Sequence, residues 1–129
     1  MASIFSRIIA GEIPAYKIAE DEKHIAFLDA FPTAKGHTLV VPKKESDKLF
    51  DLSQEEYSEL MNYAYKIAQA VGKAVPCLRV GMAVQGLEVP HVHVHLIPLN
   101  TVKDMAFGNK VPMTPEEFTE IQNRIKSFL

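Results

Sequence analysis

The stretch PHVHVHLIP, residues 90–98, places His91, His93 and His95 at every second position and Val92, Val94 and Leu96 between them. Alternation with a period of two is the signature of a β-strand, whose successive side chains point to opposite faces. The valines and the leucine must then be buried, and the three imidazoles must share the other face, each roughly 6.5–7 Å from the next along the chain. A solvated face is usually furnished with threonine, lysine or glutamate, and three histidines would add nothing to stability there. Two chemical readings stay open from spacing alone. Imidazole is the commonest metal ligand, and a His-x-His pair could hold one ion with His37 or a carboxylate as third ligand. Alternatively, one histidine attacks a phosphorus or acyl centre while its neighbours set its tautomer and carry protons.

The elements around this strand define the fold class. Residues 3–10 read as a short helix capped by Ser3 and stopped by Gly11. Residues 15–20 and 24–30 read as strands around the turn residues Asp21, Glu22 and Lys23, followed by a loop at 31–36 and a strand at 37–42. Residues 53–72 form the clearest helix, with Ser53 and Glu56 as a capping box, apolar residues at helical spacing and Gly72 at its end. Residues 78–84 read as a strand and 85–90 as a short connection. A loop with Gly108 and Asn109 leads to a last helix, 115–128, capped by Thr114, with Phe118, Ile121, Ile125 and Phe128 as its buried stripe. An antiparallel sheet with added helices is an α+β fold, expected as one domain over 1–129.

Composition narrows the partners. Fourteen basic residues against 16 acidic ones give a net charge of −2, which offers no argument for nucleic acid or a membrane surface. No apolar run approaches the ~20 residues that span a bilayer, and the broken apolar run of the N-terminus does not read as a signal peptide. One cysteine, Cys77, excludes a disulfide within the chain and a cysteine metal cluster. A soluble cytoplasmic protein is expected.

HVHVHLIP resembles the histidine triad of the HIT family. The segments SIFSRII, FLDAFP and GHTLVVPK are similar to the N-terminal half of histidine triad nucleotide-binding proteins, and the resemblance covers most of residues 3–98. It implies a HIT-like fold: a five-stranded antiparallel sheet, a long central helix and a C-terminal helix. It implies hydrolysis or transfer of nucleoside monophosphates from phosphoramidates or dinucleoside polyphosphates, with no cofactor and no metal in the chemistry. By the same resemblance His93 would be the nucleophile, forming a nucleotidyl-histidine. His95 would contact the phosphate, and His91 and His37 would belong to the hydrogen-bond network. Asp29 would bind the ribose hydroxyls of a purine nucleotide. Phe5, Ile8 and Phe27 would wall the base, with Ala30 and Leu39 close by. A homodimer is implied too. His24 matches no family position and reads as surface.

Two departures bear on these expectations. Many members carry paired cysteines and a later histidine that bind structural zinc; Ser3, Ser6 and Glu45 stand there here, so no such zinc is expected. Members also carry a longer Gly-rich phosphate loop before the triad. Here it is only QGLEVP, with Glu88 where a hydroxyl is expected and Gln85 as a substitute amide contact. A carboxylate facing a phosphate at 4 Å costs about 1–4 kcal/mol. Glu88 therefore either points away or recognises an amine leaving group. The rival readings are a nucleotide-binding regulatory module with an idle His93, and a histidine-only metal-binding protein.

Overall fold

A computed structural model describes residues 2–129. In chain order its elements are helix α1 (Ile4–Ile9), strands β1 (Lys17–Glu20), β2 (His24–Leu28) and β3 (Thr38–Pro42), helix α2 (Gln54–Ala74), strands β4 (Arg79–Ala83) and β5 (Val94–Leu99), and helix α3 (Pro115–Lys126). Short 3-10 turns cover Leu49–Asp51 and Val102–Met105. The strands form one antiparallel sheet in the order β1-β2-β3-β5-β4. No described helix is long and apolar enough to cross a membrane.

The helices begin where local chemistry dictates. Ser3 Oγ accepts from Ser6 N–H at the start of α1, and Ser53–Glu56 and Thr114–Glu117 form reciprocal capping boxes at α2 and α3. Each such cap is worth about 1 kcal/mol. α2 runs through Gly72, contrary to the sequence expectation, and ends at Ala74. Pro76 is the stronger stop, because the ring of a proline forces the preceding residue, Val75, into extended backbone.

The sheet has two differently covered faces. Val40, Val92, Val94 and Leu96 pack with Leu60, Ile67 and Val71 of α2 and with Phe118, Ile121 and Ile125 of α3. The opposite face carries a smaller cluster of Phe5, Ile25, Phe27, Leu39 and Val41, closed by α1. Two expectations fail at the margins. Phe128 lies beyond the end of α3 and is exposed, because the helical phase that would have buried it stops at Lys126. His24 is buried rather than at the surface. It lies on β2, inside the sheet, faces α2, stacks on Tyr63 at 5.0 Å and binds Asp21 Oδ1 through Nδ1 at 3.1 Å.

β5 pairs only from Val94 onward, three residues later than the alternation suggests. The ladder stops because the neighbouring β3 ends at Pro42, which has no N–H to give. Val92 N–H turns to Ser46 O at 2.8 Å, and the carbonyl of Pro42 remains available to a side chain. The alternation of faces survives: Val92, Val94 and Leu96 join the helix-side core, and the three histidines lie opposite.

Candidate active site

A cavity of about 630 Å³ opens on the histidine face, within the size range of small-molecule sites. Phe5 and Ile8 of α1 and Phe27 and Leu39 of the sheet give it apolar walls. Asp29 and Ala30 line it where β2 ends, Gln85 and Glu88 line it from the connection before the triad, and His93 and His95 form its floor. His91 and His37 do not reach it; both lie fully buried beneath.

The hydrogen bonds of these four histidines assign every ring proton. His91 Nε2 lies 2.8 Å from the carbonyl of Pro42, which can only accept, so Nε2 carries the hydrogen. His91 Nδ1 then accepts from the Ser3 hydroxyl at 2.6 Å. His93 Nδ1 donates to the carbonyl of His91 at 2.7 Å, which leaves Nε2 bare at the cavity wall. On the other side, His37 Nδ1 accepts from Thr33 N–H at 3.1 Å. Its Nε2–H is therefore the donor in the 2.9 Å bond to His95 Nδ1, and His95 presents Nε2–H to the cavity. Neighbouring ring nitrogens thus expose opposite characters, a lone pair on His93 and an N–H on His95, with ring centroids 4.8 Å apart.

Burial disfavours the charged form of His37, His93 and His95. Desolvation, reinforced by the neighbouring His95 and by Lys110, pushes His37 down to about 3. The same effect, with His93 and Lys110, takes His95 to about 4. His93 is also lowered by burial, against the pull of its bond to the His91 carbonyl and of Asp29. Burial pushes the Asp29 carboxyl up, opposed by its bond to Phe31 N–H and by Lys110. One Asp29 oxygen is thus committed to the turn, accepting from Phe31 N–H at 2.8 Å, while Oδ2 lies 3.5 Å from His37 Nε2.

The metal reading can be weighed on this geometry. Among the described residues, Asp29, His37 and His95 bring ligand atoms within 4.8 Å of one another. The two ring nitrogens, however, face each other at 2.9 Å, the spacing of an N–H···N bond. Two nitrogens sharing a tetrahedral zinc would stand about 3.3 Å apart and converge on the ion. Ser3, Ser6 and Glu45 gather around His91: Glu45 Oε1 accepts from Ser3 N–H and Ser6 Oγ at 2.7 Å each. Two hydroxyls, a carboxylate and an imidazole whose Nδ1 is already bonded do not fit a structural zinc, which takes thiolates and free imidazole nitrogens. The cluster instead ties α1, and with it Phe5, to the histidine strand. Phe5 meets His93 edge-on at 4.8 Å.

Phe107 and Lys110 are among the lining residues that escaped the sequence reading. Phe107 packs edge-on against His95 at 4.6 Å, and Lys110 lines the cavity beside it. Both come from the segment after β5. Its fold-back is fixed by Val111 N–H bonding to Pro32 O at 2.8 Å and Thr33 Oγ1 to Asp104 O at 2.6 Å. The only local signal was an aromatic and a lysine flanking Gly108–Asn109.

Comparison with known proteins identifies the family of the chain. The HIT domain family model matches residues 10–102. The adenosine 5′-monophosphoramidase of Schizosaccharomyces pombe is 35% identical over 130 residues, covering 98% of both chains. The adenosine 5′-monophosphoramidase of Saccharomyces cerevisiae is 41% identical over 98 residues, covering 75% of this chain and 62% of its own. The crystal structure of a Hit-like protein from Bartonella henselae superposes with a TM-score of 0.85 at 33% identity, covering 98% of this chain and 96% of that one. With a matching family model over most of its length and a HIT-like five-stranded antiparallel sheet that superposes on a family member, the chain belongs to the HIT family.

Proposed function

We propose that this protein is a nucleotide-binding hydrolase that cleaves purine nucleoside 5′-phosphoramidates through a covalent nucleotidyl-His93. The observation that carries the reading is the bond from His93 Nδ1 to the carbonyl of His91, which leaves Nε2 unprotonated where the cavity begins. A bare, neutral imidazole nitrogen on a rigid mount is a competent nucleophile toward phosphorus. Its Nε2 forms the new bond to phosphorus as the P–N bond breaks, and the substrate nitrogen, protonated before it departs, keeps the bonding pair and leaves as the neutral amine. His95 Nε2–H is placed to hydrogen-bond the phosphoryl oxygens or the departing nitrogen. Water then displaces His93 and releases the nucleoside monophosphate. The apolar walls suit a flat base, and Asp29 supplies an ionised acceptor for ribose hydroxyls. The similarity to two adenosine 5′-monophosphoramidases supports the choice of substrate.

The proposed assembly is a homodimer. β4 is an edge strand whose pairing groups are open on one side, and Leu78 beside it and Met82 on it are exposed. An apolar edge of this kind invites pairing with another strand.

The deciding experiment is AMP release from adenosine 5′-phosphoramidate by wild type and His93→Ala, with a chelator present. Wild type should turn over, and the variant should lose at least about a thousandfold in rate while still binding AMP. Wild-type rates in the variant would remove His93 as nucleophile.

A further inference from the structure

We propose that Lys110 supplies the cation that holds the substrate's phosphoryl group against His93 and His95. This rests on the nucleotide reading of the cavity and goes beyond it by assigning a residue outside the triad.

The argument begins with charge. The formally charged or imidazole side chains lining the cavity are Asp29, Glu88, Lys110, His93 and His95. The two histidines are neutral, each with one ring nitrogen engaged by a backbone carbonyl or a neighbouring ring. The formal sum is −2 from the two carboxylates and +1 from Lys110, leaving −1. Without Lys110 an anionic phosphoryl group would enter a cavity carrying −2 and no cation. The short QGLEVP connection makes this worse, because it brings Glu88 to the cavity in place of a neutral hydroxyl.

Placement supplies the second part. Lys110 is bracketed by two anchors. Phe107, three residues earlier, packs against His95 at 4.6 Å, and Val111, the next residue, bonds to Pro32 O at 2.8 Å. The segment that carries the lysine is thereby fixed against His95, and Lys110 itself lines the cavity close enough for its charge to be felt at His95 and at Asp29. Among the described residues its ammonium forms no salt bridge or side-chain hydrogen bond, so it is free to pair with a ligand. A lysine is suited to this as a compact point charge on a flexible stem.

The test uses the full chain and three probes: AMP, adenosine and adenosine 5′-phosphoramidate. Calorimetry on Lys110→Ala should show AMP affinity reduced tenfold or more, adenosine affinity unchanged within twofold, and the AMP loss shrinking at high salt as charges are screened. Lys110→Arg should restore most of the AMP affinity, and kcat/KM for the phosphoramidate should follow AMP binding in both variants. AMP affinity within twofold of wild type in Lys110→Ala would overturn the proposal. Equal loss of AMP and adenosine would overturn it too, by revealing a structural role. If wild type binds AMP in a Lys110-dependent way yet cleaves nothing, the phosphate assignment stands and the hydrolase reading fails. If wild type does not bind AMP, both fail.

Discussion

The Nε2 of His37 lies 2.9 Å from the Nδ1 of His95, and the proton between them belongs to His37, because the other nitrogen of His37 is taken by the backbone N–H of Thr33. A buried residue with no access to substrate thus determines that His95 shows a hydrogen-bond donor to the cavity. His37→Phe keeps the ring volume and removes the donor. His95 can then rotate its tautomer, so kcat should fall tenfold or more with KM changed less than threefold. An unchanged kcat would separate His37 from the chemistry.

The lowered histidines set a pH signature for activity. Burial holds His93 below the ordinary histidine value, so the nitrogen proposed as nucleophile stays unprotonated through neutral pH. The acidic limb of kcat/KM should therefore have its midpoint below about 6.5. A midpoint at or above 7 would show that the reacting histidine is not desolvated in this way.

Stability should respond to the same burial. Between about pH 6.5 and 3 the unfolded chain protonates His37 and His95, whereas the folded chain holds them at about 3 and about 4. The unfolded state binds more protons across that window, so stability rises with pH there and is lost as pH falls from 6.5. The raised carboxyl of Asp29 opposes this in part. Urea midpoints should drop progressively from pH 7.5 to 5. A flat series would mean that the pair is solvated in solution.

Asp29 serves the turn and faces the cavity, and two substitutions separate these roles. Asp29→Ala removes both and should weaken AMP by about 10–100-fold while leaving inorganic phosphate nearly unaffected. Asp29→Asn retains an oxygen for Phe31 N–H and should keep the melting temperature of wild type, yet lose most of the same AMP affinity. Equal weakening of AMP and phosphate would rule out contact with the sugar.

Glu88 lines the cavity as an exposed carboxylate. If it faces the phosphoryl group, Glu88→Ser should tighten AMP by about 5–100-fold, the range that repulsion across roughly 4 Å implies at intermediate dielectric. Unchanged or weaker affinity would place its charge toward the leaving group instead. Phosphoramidates with cationic amines should then lose the most in kcat/KM.

Much of this was legible from residues alone, where local rules govern. The Ser53 and Thr114 caps and the β-alternation of the triad each depend on neighbours a few positions away, whereas the apolar set of Phe5, Phe27 and Leu39 was implied by the family resemblance. What escaped depends on distant partners. His24 reads as surface until β2 is known to be flanked by both β1 and β3. The start of β5 and the tautomer of His91 are both set by Pro42, 49 positions before His91. Lys110 and Phe107 reach the cavity through a bond between Val111 and Pro32 that no periodicity announces. Gly36 is a quieter case. Its positive φ of 94°, with Val75 Cγ2 only 2.8 Å from where a Cβ would stand, fixes the turn into His37.

The Pro42 carbonyl, the His91 carbonyl and the Thr33 amide are all main-chain atoms, and between them they decide where every hydrogen of the four rings resides. The reactive pattern is consequently stored in the path of the polypeptide and only borrowed by the imidazoles. Side chains around the base and the leaving group can then be exchanged during evolution without rewriting that pattern. A lineage built on this scaffold can wander across substrates while keeping one reaction.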